Sequence, residues 1–210
     1  MKTNTLLLIL IGYFSFNLWI YGDSPLTSTD FSKAYQNEET VVIASGTKGN
    51  LTNGLMDWLA SEENPVAVKM AIINRLGWDT ENRNNSSMFF NYLKKLKGYR
   101  NKDDFAENGK DFELLCMAYL KAIENYFEVE DAIVLAEKAV QKNKTKSYTF
   151  NIISAMIKAQ KKLGVLDEWC EVYNLTNRVR EDKFLLIDIN DEAINIIFNY
   201  MDLYKESCGN

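Results

Sequence analysis

Apolar residues recur every three or four positions along most of the chain after residue 30, which predicts amphipathic α-helices. The pattern is densest between Lys110 and Asp182, where four helical stretches follow one another with very short connections. Consecutive helices joined by such short connections must lie roughly antiparallel. We therefore predict an all-α fold, built as an irregular stack of antiparallel helix hairpins.

Residues that begin and end helices punctuate the pattern on both sides of this region. Asn64 followed by Pro65 suits a helix start, and Gly77 suits a helix end. The flanking helices are predicted over residues 51–62, 65–76, 86–97 and 191–204. With the four central helices they make about eight, and we expect the first two flanking helices to form a hairpin.

Three further stretches have no clear helical period. Residues 41–44 are too short to separate a strand from a helix. Residues 99–109 are predicted as a loop in which Phe105 packs onto the core. Residues 183–188 are predicted as an extended segment packed on helices, with Asp188 or Asn190 capping the last helix.

The second central helix resembles the second helix of a tetratricopeptide repeat. Ala132, Ala136 and Ala139 stand at suitable offsets for the small residues of that helix. About 34 residues further on, the period of that repeat, Leu166 and Cys170 do not repeat the alanines. The resemblance covers about a third of the chain and implies a TPR-like, right-handed α–α superhelix. We assign no family on this basis.

The chain begins with a segment suited to membranes. Lys2 is followed by twenty uncharged residues, Thr3 to Gly22. A basic start, an apolar core and a small final residue are the parts of a signal peptide. If retained, the segment is nearly long enough to span a bilayer, and a buried core helix is the third alternative. We predict residues 1–22 as a signal peptide or membrane anchor, residues 23–30 as a tether and residues 31–210 as a single α-helical domain.

The chain contains no histidine. This excludes Ser-His-Asp and Cys-His catalysis, histidine-ligated zinc and imidazole acid–base chemistry. No loop has the glycine and lysine order of a nucleotide-binding turn, so no cofactor and no metal site are predicted. An enzyme made from this sequence would use carboxylates, and the alternative hypothesis is an envelope enzyme with Asp57, Glu62 or Asp79 near Trp58 and Trp78.

The charge balance argues against nucleic acid as a partner. The formal net charge is −5. The lysines cluster on the polar sides of predicted helices, where solvent explains them better than phosphate contacts do.

Three cysteines are present in the chain. Cys116 and Cys170 both lie on apolar helix faces, while Cys208 is two residues from the end. In an oxidising compartment Cys116 and Cys170 could form a disulfide, if the first and fourth central helices lie close together. The alternative is two buried free thiols.

Trp78 and Tyr99 stand just beyond predicted helix ends, so they are the aromatic residues best suited to a contact surface. We predict an exported protein, periplasmic or secreted, whose helices bind a protein or peptide without catalysis. Membrane contact is expected only through residues 1–22. If that segment is retained, the protein would be an anchored structural subunit of a membrane complex.

Overall fold

The computed structural model describes residues 24–78, 84–165 and 168–209. Over these ranges the chain forms ten α-helices, with one 3-10 helix at Phe31–Tyr35 and another at Asp202–Cys208. The predicted all-α class is therefore confirmed. The α-helices are α1 (Glu39–Gly46), α2 (Asn53–Ala60), α3 (Val66–Leu76), α4 (Asn85–Lys97), α5 (Lys102–Asn108), α6 (Asp111–Glu124), α7 (Glu130–Lys142), α8 (Tyr148–Leu163), α9 (Trp169–Glu181) and α10 (Asp191–Met201).

Two of these helices exceed the predicted number. α1 has apolar residues on both sides, since Val41 is buried while Val42 is 52% exposed, so no single apolar face marked it as a helix. α5 lies within residues 99–109, where a loop was expected, and that prediction is wrong. The Asn101 side chain caps α5 by accepting a hydrogen bond from the Asp104 N–H at 2.8 Å.

The segment before the first 3-10 helix is packed against the domain. Ser24, Leu26 and Thr29 are all buried. The prediction of a tether over residues 23–30 is therefore wrong for its described part. These side chains are packed against the core and not exposed to solvent. The predicted signal or anchor segment, residues 1–22, lies outside the described residues. Among the described helices, none is long and apolar enough to cross a membrane.

α6 is the centre of the core. It contacts α2, α3, α4, α7 and α8, and eleven of its fourteen residues are buried. Glu113, a residue type that is almost never fully buried unless it is paired, is fully buried as well. When a helix is covered on all sides, the positions of its polar residues do not indicate which face is buried.

The central helices pack in chain order, but the earlier ones do not. α6 contacts α7, α7 contacts α8 and α8 contacts α9, as expected of consecutive hairpins. α2 instead lies against α4 and α6, while α3 lies against α1, α6 and the first 3-10 helix. The predicted hairpin of residues 51–62 with 65–76 is therefore wrong. α3 is buried at most of its positions, so it needs neighbours on several sides.

The first 3-10 helix contacts the start of α10, which lies far away in sequence. The Asn190 backbone N–H donates to the Tyr35 hydroxyl at 2.9 Å, and the Asn190 side-chain amide donates to the Ala34 carbonyl at 3.4 Å. The first 3-10 helix thereby contacts α10 as well as α3. In an open repeat array each unit contacts only its neighbours, so this long-range contact is a feature of a closed domain.

The connection between α9 and α10 is held at the start of α8, with Leu185 packed on the core and other apolar side chains exposed. Leu186 forms a single parallel bridge with Ser147, so part of the segment is extended as predicted. However, Phe184 is 83% exposed and Ile187 is 54% exposed. The expectation that residues 183–188 pack on helices is wrong for these side chains.

Both polar residues proposed as caps after this segment do cap a helix. The Asn190 side chain caps α10, as predicted, by accepting from the Glu192 N–H at 2.8 Å. Asp188 caps the start of α8 instead, where its carboxylate accepts from the Thr149 N–H at 2.9 Å and from the Ser147 hydroxyl at 2.5 Å.

Candidate binding groove

A groove of about 320 Å³ crosses α4, α5, α6 and α7. Its surface combines apolar side chains with hydroxyl and charged groups. All four helices contribute to it. The lining residues are Ser86, Ser87 and Phe90 of α4, Lys102, Asp103, Phe105 and Ala106 of α5, Met117 and Lys121 of α6, and Asp131, Val134 and Leu135 of α7.

Phe105 joins α5 to the rest of the domain. Its ring packs edge-to-face on Phe90, with 5.9 Å between ring centroids, and on Tyr99, with 5.2 Å between centroids. The side chain is 2% exposed, and edge-to-face pairs are a favourable aromatic geometry. The prediction that Phe105 packs onto the core is confirmed, although it does so from a helix.

Two lysines of α7 hold the far end of α5. The Lys142 ammonium donates to the Gly109 carbonyl at 2.9 Å and to the Glu107 carbonyl at 2.5 Å. Lys138 forms an ion pair with the Glu107 carboxylate at 3.0 Å. Cations near the last carbonyls of a helix complement the negative end of its dipole. These contacts fix the wall that α5 contributes to the groove.

The beginning of α5 is organised by the Asp104 carboxylate. It accepts from the Arg100 N–H at 2.8 Å, from the Arg100 guanidinium at 3.3 Å and from the Asn108 amide at 2.7 Å. These donors lower the pKa of Asp104 to about 2, with the Arg100 backbone N–H as the largest cause. A carboxylate that receives several hydrogen bonds is stabilised in its charged form.

Polar contacts frame the edge of the groove. Lys121 of α6 forms an ion pair with Asp131 of α7 at 3.1 Å. The Glu124 carboxylate accepts from the Ser86 N–H at 2.7 Å and also from the Ser86 hydroxyl, which holds the start of α4 against the end of α6. Val134 also lines the groove and is 52% exposed.

One hydroxyl group of the groove is held by a carboxylate. The Ser86 hydroxyl is engaged by a carboxylate that also accepts the neighbouring N–H. Lys121 and Asp131 pair with each other, and Ser87, Lys102 and Asp103 add further polar groups to the lining. Concave apolar surfaces with a few polar groups at the edge are the usual form of ligand and peptide sites.

The two aromatic residues predicted as a contact surface do not line the groove. Trp78 follows the end of α3 and is 38% exposed. Tyr99 is half-buried, and its hydroxyl donates to the Glu113 carboxylate at 2.6 Å. Burial and this hydrogen bond raise the pKa of Tyr99 above its ordinary value. Tyr99 therefore supports the groove from behind through its contact with Phe105.

The carboxylates of the alternative enzyme hypothesis have separate partners. Asp57 accepts a hydrogen bond from the Tyr92 hydroxyl. Glu62 pairs with Lys110, whose hydrogen bond lowers the pKa of Glu62. The third candidate, Asp79, lies outside the described residues. Carboxylate catalysis needs two acids held on either side of one substrate bond, whereas the two described acids engage partners on different helices or helix ends.

A buried lysine lies at the C-terminal end of α2. Lys69 is 1% exposed, and its ammonium donates to the Leu59 carbonyl at 2.9 Å and to the Ser61 carbonyl. It also lies 4.2 Å from the centre of the Phe112 ring. Burial lowers the pKa of Lys69. The carbonyls and the aromatic face stabilise the buried charge. Because both carbonyls lie at the C-terminal end of α2, Lys69 caps that helix end.

The cysteine pairing differs from the predicted one. Cys170 forms a disulfide with Cys208, 38 residues later. Cys116 is a free thiol buried in α6, and burial raises its pKa to about 12. The possible Cys116–Cys170 bridge is therefore wrong, and the alternative of two buried free thiols holds for Cys116 but not for Cys170. The C-terminal 3-10 helix packs on α9 and brings Cys208 to Cys170, which the spacing in sequence could not indicate.

Sequence reasoning missed the groove because α5 was predicted as a loop. One signal was present, since Asn101 is followed by the acidic residues Asp103 and Asp104, a common start for a helix. The short length of α5, only seven residues, hid the helical period. A groove between four helices also depends on their packing, which local patterns do not specify.

Neither a metal-binding cluster in the part of the chain that the structure describes nor a similar known protein was found. Within the described ranges no three histidine, cysteine or acidic side chains are grouped so that they could hold a metal ion. Comparison with known proteins found no match among protein-family models, curated proteins or solved structures.

Proposed function

We propose that this chain binds an apolar segment of a protein or peptide in the groove across α4, α5, α6 and α7. The observation that carries the proposal is the composition of that groove. Its exposed Val134 and the partly buried Leu135 and Phe90 offer apolar surface, and the Lys121–Asp131 pair also lines it. Helical partners commonly place an apolar face into grooves of this kind.

The second part of the proposal is that the protein acts outside the cytosol. The N-terminal sequence has the parts of a signal peptide or anchor. The Cys170–Cys208 disulfide supports the same compartment, because disulfides form and persist in oxidising environments. The periplasm, the medium and the outer face of a membrane all fit these two features.

The third part concerns the architecture that presents the groove. We propose that α6 to α9 form a TPR-like, right-handed stack of hairpins. Their consecutive packing supports this. The groove would then lie where this stack joins the shorter helices α4 and α5.

A substitution in the groove tests the binding function. We expect Val134→Asp to weaken the binding of peptides selected on the wild-type protein by at least about tenfold, because a charge would face the apolar part of the ligand. Peptides would be selected from a displayed random library. Their affinities would then be measured by fluorescence anisotropy on purified full-length protein.

The chain offers a matched control for this experiment. Val42 is also 52% exposed on a helix, but it belongs to α1 and does not line the groove. Val42→Asp should leave the affinities unchanged, and both variants should melt within a few degrees of the wild type. Equal affinities for Val134→Asp and wild type, in a folded protein, would show that the peptides bind elsewhere and refute the proposal.

A further inference from the structure

The last described helix, Asp202–Cys208, forms a surface segment that we call the C-terminal strap. It packs on α9 and follows directly from α10. None of its residues is buried. Its Cys208 is bonded to Cys170, on the first turn of α9. The strap is thus a surface layer whose far end is attached covalently.

The first residue of the strap makes a polar contact with α9. The Arg180 guanidinium donates to both carboxylate oxygens of Asp202, at 3.0 and 2.9 Å. The same guanidinium lies over the Phe198 ring, 4.1 Å from its centre. Because Arg180 and Asp202 are partly exposed, solvent screens this pair, and exposed pairs contribute little to stability.

An aromatic contact lies in the middle of the strap. The Tyr204 ring packs edge-to-face on Trp169, with 6.3 Å between centroids, and on Tyr200, with 5.7 Å between centroids. The Tyr204 and Tyr200 hydroxyls are 2.8 Å apart. Tyr200 is 8% exposed while Trp169 is 39% exposed. The strap therefore covers part of an aromatic surface formed by α9 and α10.

A surface segment that buries none of its own residues has few buried contacts to hold it when it is untied. Segments with few buried apolar contacts open locally at a low cost in free energy unless they are fastened. The disulfide supplies that fastening by keeping Cys208 next to α9. Its formation or loss should therefore decide whether the strap stays docked.

We propose that the C-terminal strap is a redox-controlled cover over the aromatic surface of Trp169 and Tyr200. A dithiol reductant attacks the Cys170–Cys208 bond, becomes a cyclic disulfide itself and leaves two protein thiols. The released strap then leaves α9 and exposes the two aromatic rings. Cys116 takes no part, since it is free and buried in α6.

Hydrogen exchange followed by mass spectrometry tests the proposal on the full-length protein. In the oxidised protein the backbone amides of residues 202–209 should be protected. After treatment with dithiothreitol they should exchange within about tenfold of the rate of an unfolded peptide. Amides of α6 and α9 should keep their protection, and trypsin should cleave after Lys205 only in the reduced protein.

Variants distinguish the effect of the disulfide on the strap from the effect of its other contacts. The double variant Cys170→Ser/Cys208→Ser should show the released strap without reductant, and Cys116→Ala should respond to dithiothreitol as the wild type does. Asp202→Asn, with the disulfide intact, should keep the strap protected. A strap that stays protected after reduction would overturn the proposal. So would a loss of protection throughout α9, because the disulfide would then stabilise the whole C-terminal region.

Discussion

The side chain of Asn74 joins parts of the chain that are far apart in sequence. Its carbonyl oxygen accepts from the Ser32 N–H at 3.0 Å. Its amide donates to the Thr29 carbonyl and to the Tyr119 hydroxyl, each at 3.0 Å. All four residues are buried, so Asn74 satisfies backbone groups that water cannot reach. This residue fixes the packed N-terminal segment onto α3 and α6.

Replacement of Asn74 should therefore cost much stability. We expect Asn74→Ala to lower the free energy of unfolding by about 2–4 kcal/mol, because the Ser32 N–H and the Thr29 carbonyl lose their buried partner. Urea denaturation monitored by circular dichroism measures the change. Asn195→Ala, at an exposed position of α10, should change the value by less than about 0.5 kcal/mol. Similar values for the two variants would contradict the role given to Asn74.

At the level of elements, α5 is a helix made by its surroundings. Its seven residues are too few to be stable alone. Phe105 anchors it to the core, and Lys138 and Lys142 hold its end. Gly109 completes the turn into α6, where an added Cβ atom would lie 2.7 Å from the Phe105 carbonyl oxygen and 3.2 Å from Leu114.

Two glycine substitutions should have opposite effects. Gly109→Ala should lower the free energy of unfolding by about 1–3 kcal/mol, because the backbone of Phe105 cannot move away without disturbing the groove. Gly54 lies in α2, and an added Cβ there would meet nothing within 4 Å. Gly54→Ala should therefore stabilise the protein by about 0.5 kcal/mol through helix propensity. Urea denaturation of both variants measures these changes, and a stabilising Gly109→Ala would refute the close packing of this turn.

At the scale of the whole molecule, the domain begins as soon as the predicted signal or anchor segment ends. Ser24 and Leu26 are already buried. If residues 1–22 were retained in a bilayer, the first packed residue would follow the anchor within a few positions of the sequence. If they were removed, the mature chain would start almost at its first packed residue.

The state of the cysteines in protein from its natural source tests the proposed compartment. Alkylation in denaturant without reductant should modify only Cys116, and alkylation after reduction should modify all three cysteines. A protein kept in a reducing cytosol would instead be modified at three positions from the outset. Sequencing of the mature N-terminus distinguishes the two exported forms, since a start near residue 23 indicates a cleaved signal and a start at Met1 indicates an anchor.

The sequence by itself determined the helices that have one apolar face and marked ends. Gly98 ends α4 in the left-handed conformation, with φ of 81°, and Asn190 caps α10 as its position suggested. These features are local, because a helix period and a cap involve residues within one or two turns. The all-α class follows from them directly.

Only the tertiary structure decided which elements meet. It buried Glu113 within α6, joined Cys170 to Cys208 and turned residues 102–108 into the wall of a groove. Each of these outcomes depends on contacts between residues distant in sequence. A periodic pattern shows that one face of a helix is apolar, but it does not indicate which other helix packs on that face. That choice is made by how all the helices fill one core together.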